Sequence, residues 1–239
     1  MKKHTIKPLP SEIVELNGLS VFDIFQRYFT PEMISYVTEQ TRLYANREKT
    51  DQSFYITDEE MSKFLGILLI SGYHQLPTQN DYWSTAEDIE APIFGKIMSR
   101  ERFRIIKRYL HIADNNNLLS SKVAKVLPLF EKLKTQCQQF GVFHESLSID
   151  ESMVPYRGLH SAKQYLKNKP VKFGYKIWMM CSQDGYPYNF EIYCGKNDDR
   201  KTPLRTYVVN TMVEPITDID SHVIYFDNFF HKLSVINRS

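Results

Sequence analysis

The sequence predicts an α/β chain, α+β overall, with a helical region over residues 1–145 followed by a mixed sheet over 146–239. Three observations carry this. Through the first part, apolar residues recur at helical spacing behind N-cap signals. After Gly141 the texture changes to short strand-like runs, hinged at Asp184-Gly185, a hairpin-turn dipeptide. Two of these runs, "LSIDES" at 147–152 and "VIYFDNFF" at 223–230, each deliver an aspartate just past their apolar part: Asp150 and Asp227.

Ser20, with Asp23 three positions on, caps "VFDIFQRYF". Thr30-Pro31 opens "PEMISYVTEQTRLYANREK", with proline at the first helical position, where its missing N–H costs nothing. Thr57 and Glu60 form a capping box before "MSKFLGILLI", and Gly72 reads as its stop. Ser99 opens "RERFRIIKRYLHIA", with Phe103, Ile106, Leu110 and Ala113 on one face and Arg104, Lys107, Arg108 and His111 on another; that basic face reads as solvated. A last helix carries Leu129, Leu133 and Cys137 on one stripe, starts near Pro128 and ends at Gly141. "SLSIDESMVPY", "GYKIWMMCSQDG" and "YPYNFEIYCG" read as strands, "TPLRTYVVNTMVEPI" as a helix, "HVIYFDNFF" as a strand and "HKLSVINRS" as the first turns of a helix. The order is β-β-β-α-β-α.

At 239 residues the chain is long enough for a substantial core, and its 42% hydrophobic and 24% charged content is that of a folded globular protein. Its longest apolar run, "FLGILLI" at 64–70, is too short to cross a bilayer, and no secretory signal is read at "MKKHTIKPLP". Cys137, Cys181 and Cys194 form no CxxC pair and read as reduced thiols of an intracellular protein. No HExxH, GxSxG, GxGxxG or phosphate loop is present, so no small-molecule substrate is indicated.

In β-β-β-α-β order the first and fourth strands can lie side by side with the helix crossing between them, which brings Asp150 and Asp227 together. Two carboxylates about 4 Å apart repel by about 4 kcal/mol at an effective dielectric of ~20. Such a pair persists around a divalent cation, or with one acid protonated. Hard oxygen ligation favours Mg2+ or Mn2+, ions suited to phosphodiester chemistry. Either aspartate alone also fits a turn or cap residue. Strand alternation turns Glu151 to the opposite face, so it reads as a supporting or solvent-facing residue rather than a ligand.

Net charge is only +2, yet no Asp or Glu occurs from Ser152 to Gln183, where Arg157, Lys163, Lys167, Lys169, Lys172 and Lys176 interleave with Tyr156, Tyr165, Phe173, Tyr175 and Trp178. Cations that neutralise phosphates beside aromatic faces suit DNA. A lysine-rich edge strand would account for the same residues. The position of the stretch, immediately after Asp150, favours DNA contact.

"SIDESMVPYRG", "KQYLKNKPVKFGYKIW" and "YFDNFF" resemble the piggyBac transposase family, including its transposable element-derived members. "LSVFDIFQRYFTPEMI", "GILLISGYHQLPTQNDYWS" and "RERFRIIKRYLHIAD" resemble that family's helical N-terminal region. The resemblance implies that 1–145 is a DNA-binding or dimerisation region and that 146–239 is the first part of an RNase H-like DDE/DDD catalytic domain. It implies Mg-dependent DNA cleavage and strand transfer at TTAA sites, with Asp150 and Asp227 as two of three catalytic, metal-binding aspartates. The implied partners are DNA and a second copy of the chain, with no membrane, and the implied location is the nucleus.

Two departures bear on activity. The family's third aspartate lies well downstream of the second, beyond Ser239, so the chain is expected to be truncated before it and not to transpose DNA alone. Where the family carries Gly-Arg after the first motif, this sequence has Gly158-Leu159, which removes a guanidinium suited to holding phosphate. The alternative reading is a domesticated, non-catalytic protein that keeps DNA or partner binding.

Overall fold

The structure, a computed structural model, describes residues 18–139, 144–195 and 202–227. Helix α1, Val21–Tyr28, starts where the Ser20 hydroxyl accepts from the Asp23 N–H at 3.1 Å and Asp23 accepts from the Ser20 N–H at 2.9 Å. Helix α2, Pro31–Leu43, is capped by Thr30, which accepts from Met33 N–H, and passes into a π-helical turn at Tyr44–Glu48. Helix α3, Asp58–Tyr73, begins with the reciprocal Thr57–Glu60 box, at 3.1 and 3.2 Å. Each such cap satisfies amide groups that would otherwise cost about 1 kcal/mol. Helices α4 (Pro92–Ile97), α5 (Arg100–Tyr109, capped by Ser99) and α6 (Leu127–Cys137) complete the first part.

The expected bounds shift in places. Helix α3 runs through Gly72, and its last bond, His74 N–H to Ile70 C=O at 2.9 Å, closes beyond the glycine. Helix α5 ends at Tyr109 instead of continuing to Ala113, because the His111 N–H turns to the hydroxyl of Thr41 at 3.3 Å. Its buried stripe is therefore Phe103, Ile106 and Tyr109. Helix α4 and a 3-10 turn at Gln79–Trp83 are elements the periodicity does not announce. The expected final helix at 231–239 and the Gly141 stop lie outside the described residues.

Phe29–Leu119 and Ala124–Pro128 form one compact unit. Ile56, Met61, Phe64, Ile67, Phe94, Phe103 and Ile106 make its core, and the Phe64 and Phe103 rings sit 4.9 Å apart. Arg102 of α5 grips Glu60 of α3 through two bonds of 2.8 and 2.9 Å.

The other unit holds the described residues of Met1–Tyr28, Ser120–Val123 and Leu129–Ser239. Its sheet consists of β1 (Ser146–Pro155), β2 (Gln164–Tyr165), β3 (Phe173–Ser182), β4 (Pro187–Ile192) and β5 (Val223–Phe226), with helix α7 (Leu204–Val213) between β4 and β5. The spatial order is β2-β3-β1-β5, and β4 also pairs with β3. β1, β3 and β4 are antiparallel in succession, whereas β5 is parallel to β1, as the strand order anticipates. The two-residue β2, within the basic stretch, is additional to the expected order. Gly185, at φ +85°, supplies the left-handed residue between β3 and β4. At Gly174 a Cβ would stand 1.9 Å from the Val154 carbonyl oxygen, so only glycine allows β3 to approach the end of β1.

Leu147 and Ile149 of β1, Trp178 and Met180 of β3, and Val208 and Met212 of α7 are each at most 2% exposed and form one core. Helix α6 joins this unit through the Phe130 and Phe190 rings, 5.5 Å apart, and through a 2.8 Å bond from the Tyr186 hydroxyl to the Cys137 carbonyl. All three cysteines are free thiols.

Candidate functional site

The parallel register pairs Leu147 with Ile224 and Ile149 with Phe226. Each strand continues by one residue into an aspartate, so Asp150, still within β1, and Asp227, just past β5, stand as neighbours. Both are exposed. Among the described residues the β1–β5 pairing reaches Ile149 and Phe226, and β1 runs on to Pro155 against β3. The side chain of Glu151 reaches the same space. Carboxylate oxygens of Asp150, Glu151 and Asp227 all lie within 4.8 Å of one another.

Of the two roles expected for Glu151, supporting or solvent-facing, its burial is at odds with the second. Alternation does put it on the core face of β1, opposite Trp178, but its side chain is only 11% exposed and joins the two aspartates instead of facing solvent away from them. Two lysines meet it in the fold. Lys169 Nζ is 3.0 Å from Glu151 and 3.9 Å from Asp150. Lys176 Nζ is 3.6 Å from Glu151 and 3.7 Å above the Trp178 ring.

This arrangement sets the charge states. Burial pushes the Glu151 carboxyl up, but the ammonium groups of Lys169 and Lys176 together hold it below the ordinary glutamate range. Lys169 is pushed up by its bond to Glu151, with Asp150 and Asp227 adding to the pull. Burial lowers Lys176 against the attraction of Glu151. The donor set is oxygen-only, tightly grouped and open to solvent on the aspartate side, which fits a hard divalent cation.

The remaining basic residues spread over the segment from β1 to β3. Arg157, Lys167 and Lys172 are exposed. Lys163 bonds the Gly158 carbonyl at 2.7 Å and lies 6.0 Å from the centre of the Phe173 ring. Lys176, only 12% exposed, is turned toward Glu151 and Trp178 rather than outward. Tyr165 and Phe173, paired across β2 and β3 with rings 4.7 Å apart, are about half exposed, whereas Trp178 is buried. Leu159, in the place of the resembled family's arginine, is 94% exposed.

A mixed sheet thus brings acids from β1 and β5 together. A family model described as Transposase IS4 matches residues 21–238. The chain belongs to the transposase family so described, and within it to the piggyBac transposases. It is 32% identical over 240 residues to the human PiggyBac transposable element-derived protein 3, covering 98% of this chain and 38% of that protein. The human PiggyBac transposable element-derived protein 2 matches at 32% over 233 residues, 95% of this chain and 39% of its own length. The chain thus spans about two fifths of the length of these relatives. Among solved structures, a cryo-EM piggyBac transposase synaptic complex with hairpin DNA shares the fold, RNase H-like in its sheet, with a TM-score of 0.72 and 24% identity, over 84% of this chain and 45% of that one. Among the described residues, no helix is long and apolar enough to cross a membrane.

Proposed function

We propose that this chain carries the first part of a divalent-metal site for DNA strand cleavage and transfer, with Asp150 and Asp227 as its metal-binding, catalytic carboxylates. The observation that carries the reading is the convergence of Asp150 and Glu151, midway along β1, with Asp227, just past β5, within 4.8 Å. Three carboxylates so close, even with Lys169 beside them, leave room for further positive charge. Mg2+ or Mn2+ held there would supply Lewis-acid stabilisation of a phosphodiester and an activated water. Asp150 and Asp227 orient the ion from two adjacent strands, whose pairing fixes their spacing. Arg157, Lys163, Lys167, Lys169 and Lys172 then bind the DNA backbone beside the carboxylates, and Lys176 supports them through Glu151. TTAA as the target, a second copy as partner, the helical region as a DNA-binding or dimerisation part, and nuclear location all follow from the same reading.

The test is a Mn2+ titration of the chain, with the free ion followed by electron paramagnetic resonance. Saturable binding that disappears in both Asp150→Ala and Asp227→Ala is the expected result. Binding indifferent to both substitutions would sink the proposal. A chain extended to the full length of the relatives should then yield DNA nicking that depends on the same two residues.

A further inference from the structure

We propose that Lys169 is a resident counter-cation of the acidic cluster, tethered by Glu151, which a divalent metal must displace from Asp150. This rests on the reading of Asp150 and Asp227 as the metal-binding pair and assigns the neighbouring glutamate and lysine a regulatory part in it.

The geometry sets Glu151 apart from the aspartates. Its carboxylate meets two ammonium groups, Lys169 at 3.0 Å and Lys176 at 3.6 Å, and its side chain is 11% exposed. Asp150, 57% exposed, has Lys169 alone among these cations, at the longer distance of 3.9 Å. Glu151 therefore holds Lys169, and Lys169 leans over Asp150. Lys176 is itself pinned over the Trp178 ring at 3.7 Å, so the Glu151 anchor is held from behind. A like charge entering beside Asp150 repels the nearby ammonium, and Lys169 is the mobile partner: it is 35% exposed on a flexible stem outside the regular strands, whereas Lys176 is 12% exposed and lies within β3. The cluster thus stays partly neutralised without metal and exchanges one cation for another. On displacement, the ammonium becomes available to a phosphate at the same place.

The experiment measures Mn2+ affinity of the full 239-residue chain by isothermal titration, in Lys169→Met, Lys169→Arg and, as a control for net charge alone, Lys63→Met on α3. Removing the competitor should tighten binding about fivefold, the most that a partly exposed ion pair ordinarily contributes. Lys169→Arg should stay near the parent, and Lys63→Met should change affinity far less than Lys169→Met. A merely structural lysine would give the opposite sign, weaker binding on removal. Parent binding that needs Asp227 but is unchanged or weakened in Lys169→Met overturns the counter-cation and leaves the metal site standing. Absence of Asp227-dependent binding in both parent and Lys169→Met overturns the metal site, and the counter-cation with it. Binding seen only in Lys169→Met and abolished by adding Asp227→Ala supports the proposal in its strongest form.

Discussion

Ile149 of β1 stands opposite Phe226 of β5 in parallel register, and the residue after each is an aspartate. Ile149 is fully buried, so the position of the acidic pair depends on how well the core beneath it is packed. Ile149→Ala should cost about 2–5 kcal/mol of stability, by lost burial plus the cavity left behind. Ile149→Val should cost only about 0.5–1.5 kcal/mol. Urea unfolding reads both, and Mn2+ affinity should fall with the alanine but hold with the valine.

Gly174 carries a second prediction. A methyl group there would meet a backbone oxygen at 1.9 Å, which no side-chain rotation relieves. Gly174→Ala should lower the urea midpoint by the equivalent of about 1–3 kcal/mol, the ordinary cost of overpacking. An unchanged midpoint would mean that β1 and β3 separate freely at this end.

Glu60 and Arg102 make a pH-dependent contribution in the helical unit. The bond from Arg102 lowers the Glu60 carboxyl below its ordinary value of 4.5, against the opposing effect of burial. A depressed folded-state value means stability that is present above 4.5 and lost as pH falls through the lower folded value. The parent should therefore exceed Glu60→Gln in urea midpoint at pH 7, with the gap narrowing as pH falls below 4.5. A gap that widens on acidification contradicts the assignment.

For DNA binding, the exposed lysines should differ from the enclosed one. Each phosphate contact contributes about 0.9 to the slope of log affinity against log salt. Replacing Lys167 and Lys172 together by methionine should flatten that slope by about two. Lys176→Met should leave the slope nearly unchanged while lowering stability, because its ammonium lies between Glu151 and the Trp178 ring. Fluorescence anisotropy over a salt series separates the cases.

Much of this arrangement is legible in the residues, and the exceptions have physical causes. Thr57 with Glu60, Thr30-Pro31 and Asp184-Gly185 act through their immediate neighbours, so their caps and turn are readable locally. The meeting of Asp150 with Asp227 follows from element order, since a helix between two strands favours their parallel pairing. Helix α5 stops at Tyr109 because Thr41, on another helix, captures the next backbone turn, and no local signal records that partner. Glu151 keeps its alternating place on β1, but its nearness to the two aspartates depends on how far its side chain reaches, which strand spacing does not record. β2 is two residues long, too short for any periodicity to announce it.

The parallel pairing of β1 with β5 across α7 also orders events in time. Every other partner of β1 or β3 lies within the hairpin region and can form early, whereas the β1–β5 contact closes over all of β2, β3, β4 and α7. Pairings of such sequence separation are slow to form, because chain entropy is lost before any contact offsets it. The acidic cluster is consequently among the last features to assemble during folding. In a nascent or partly unfolded chain the two aspartates are apart, and they meet only once the sheet that joins β1 to β5 has closed.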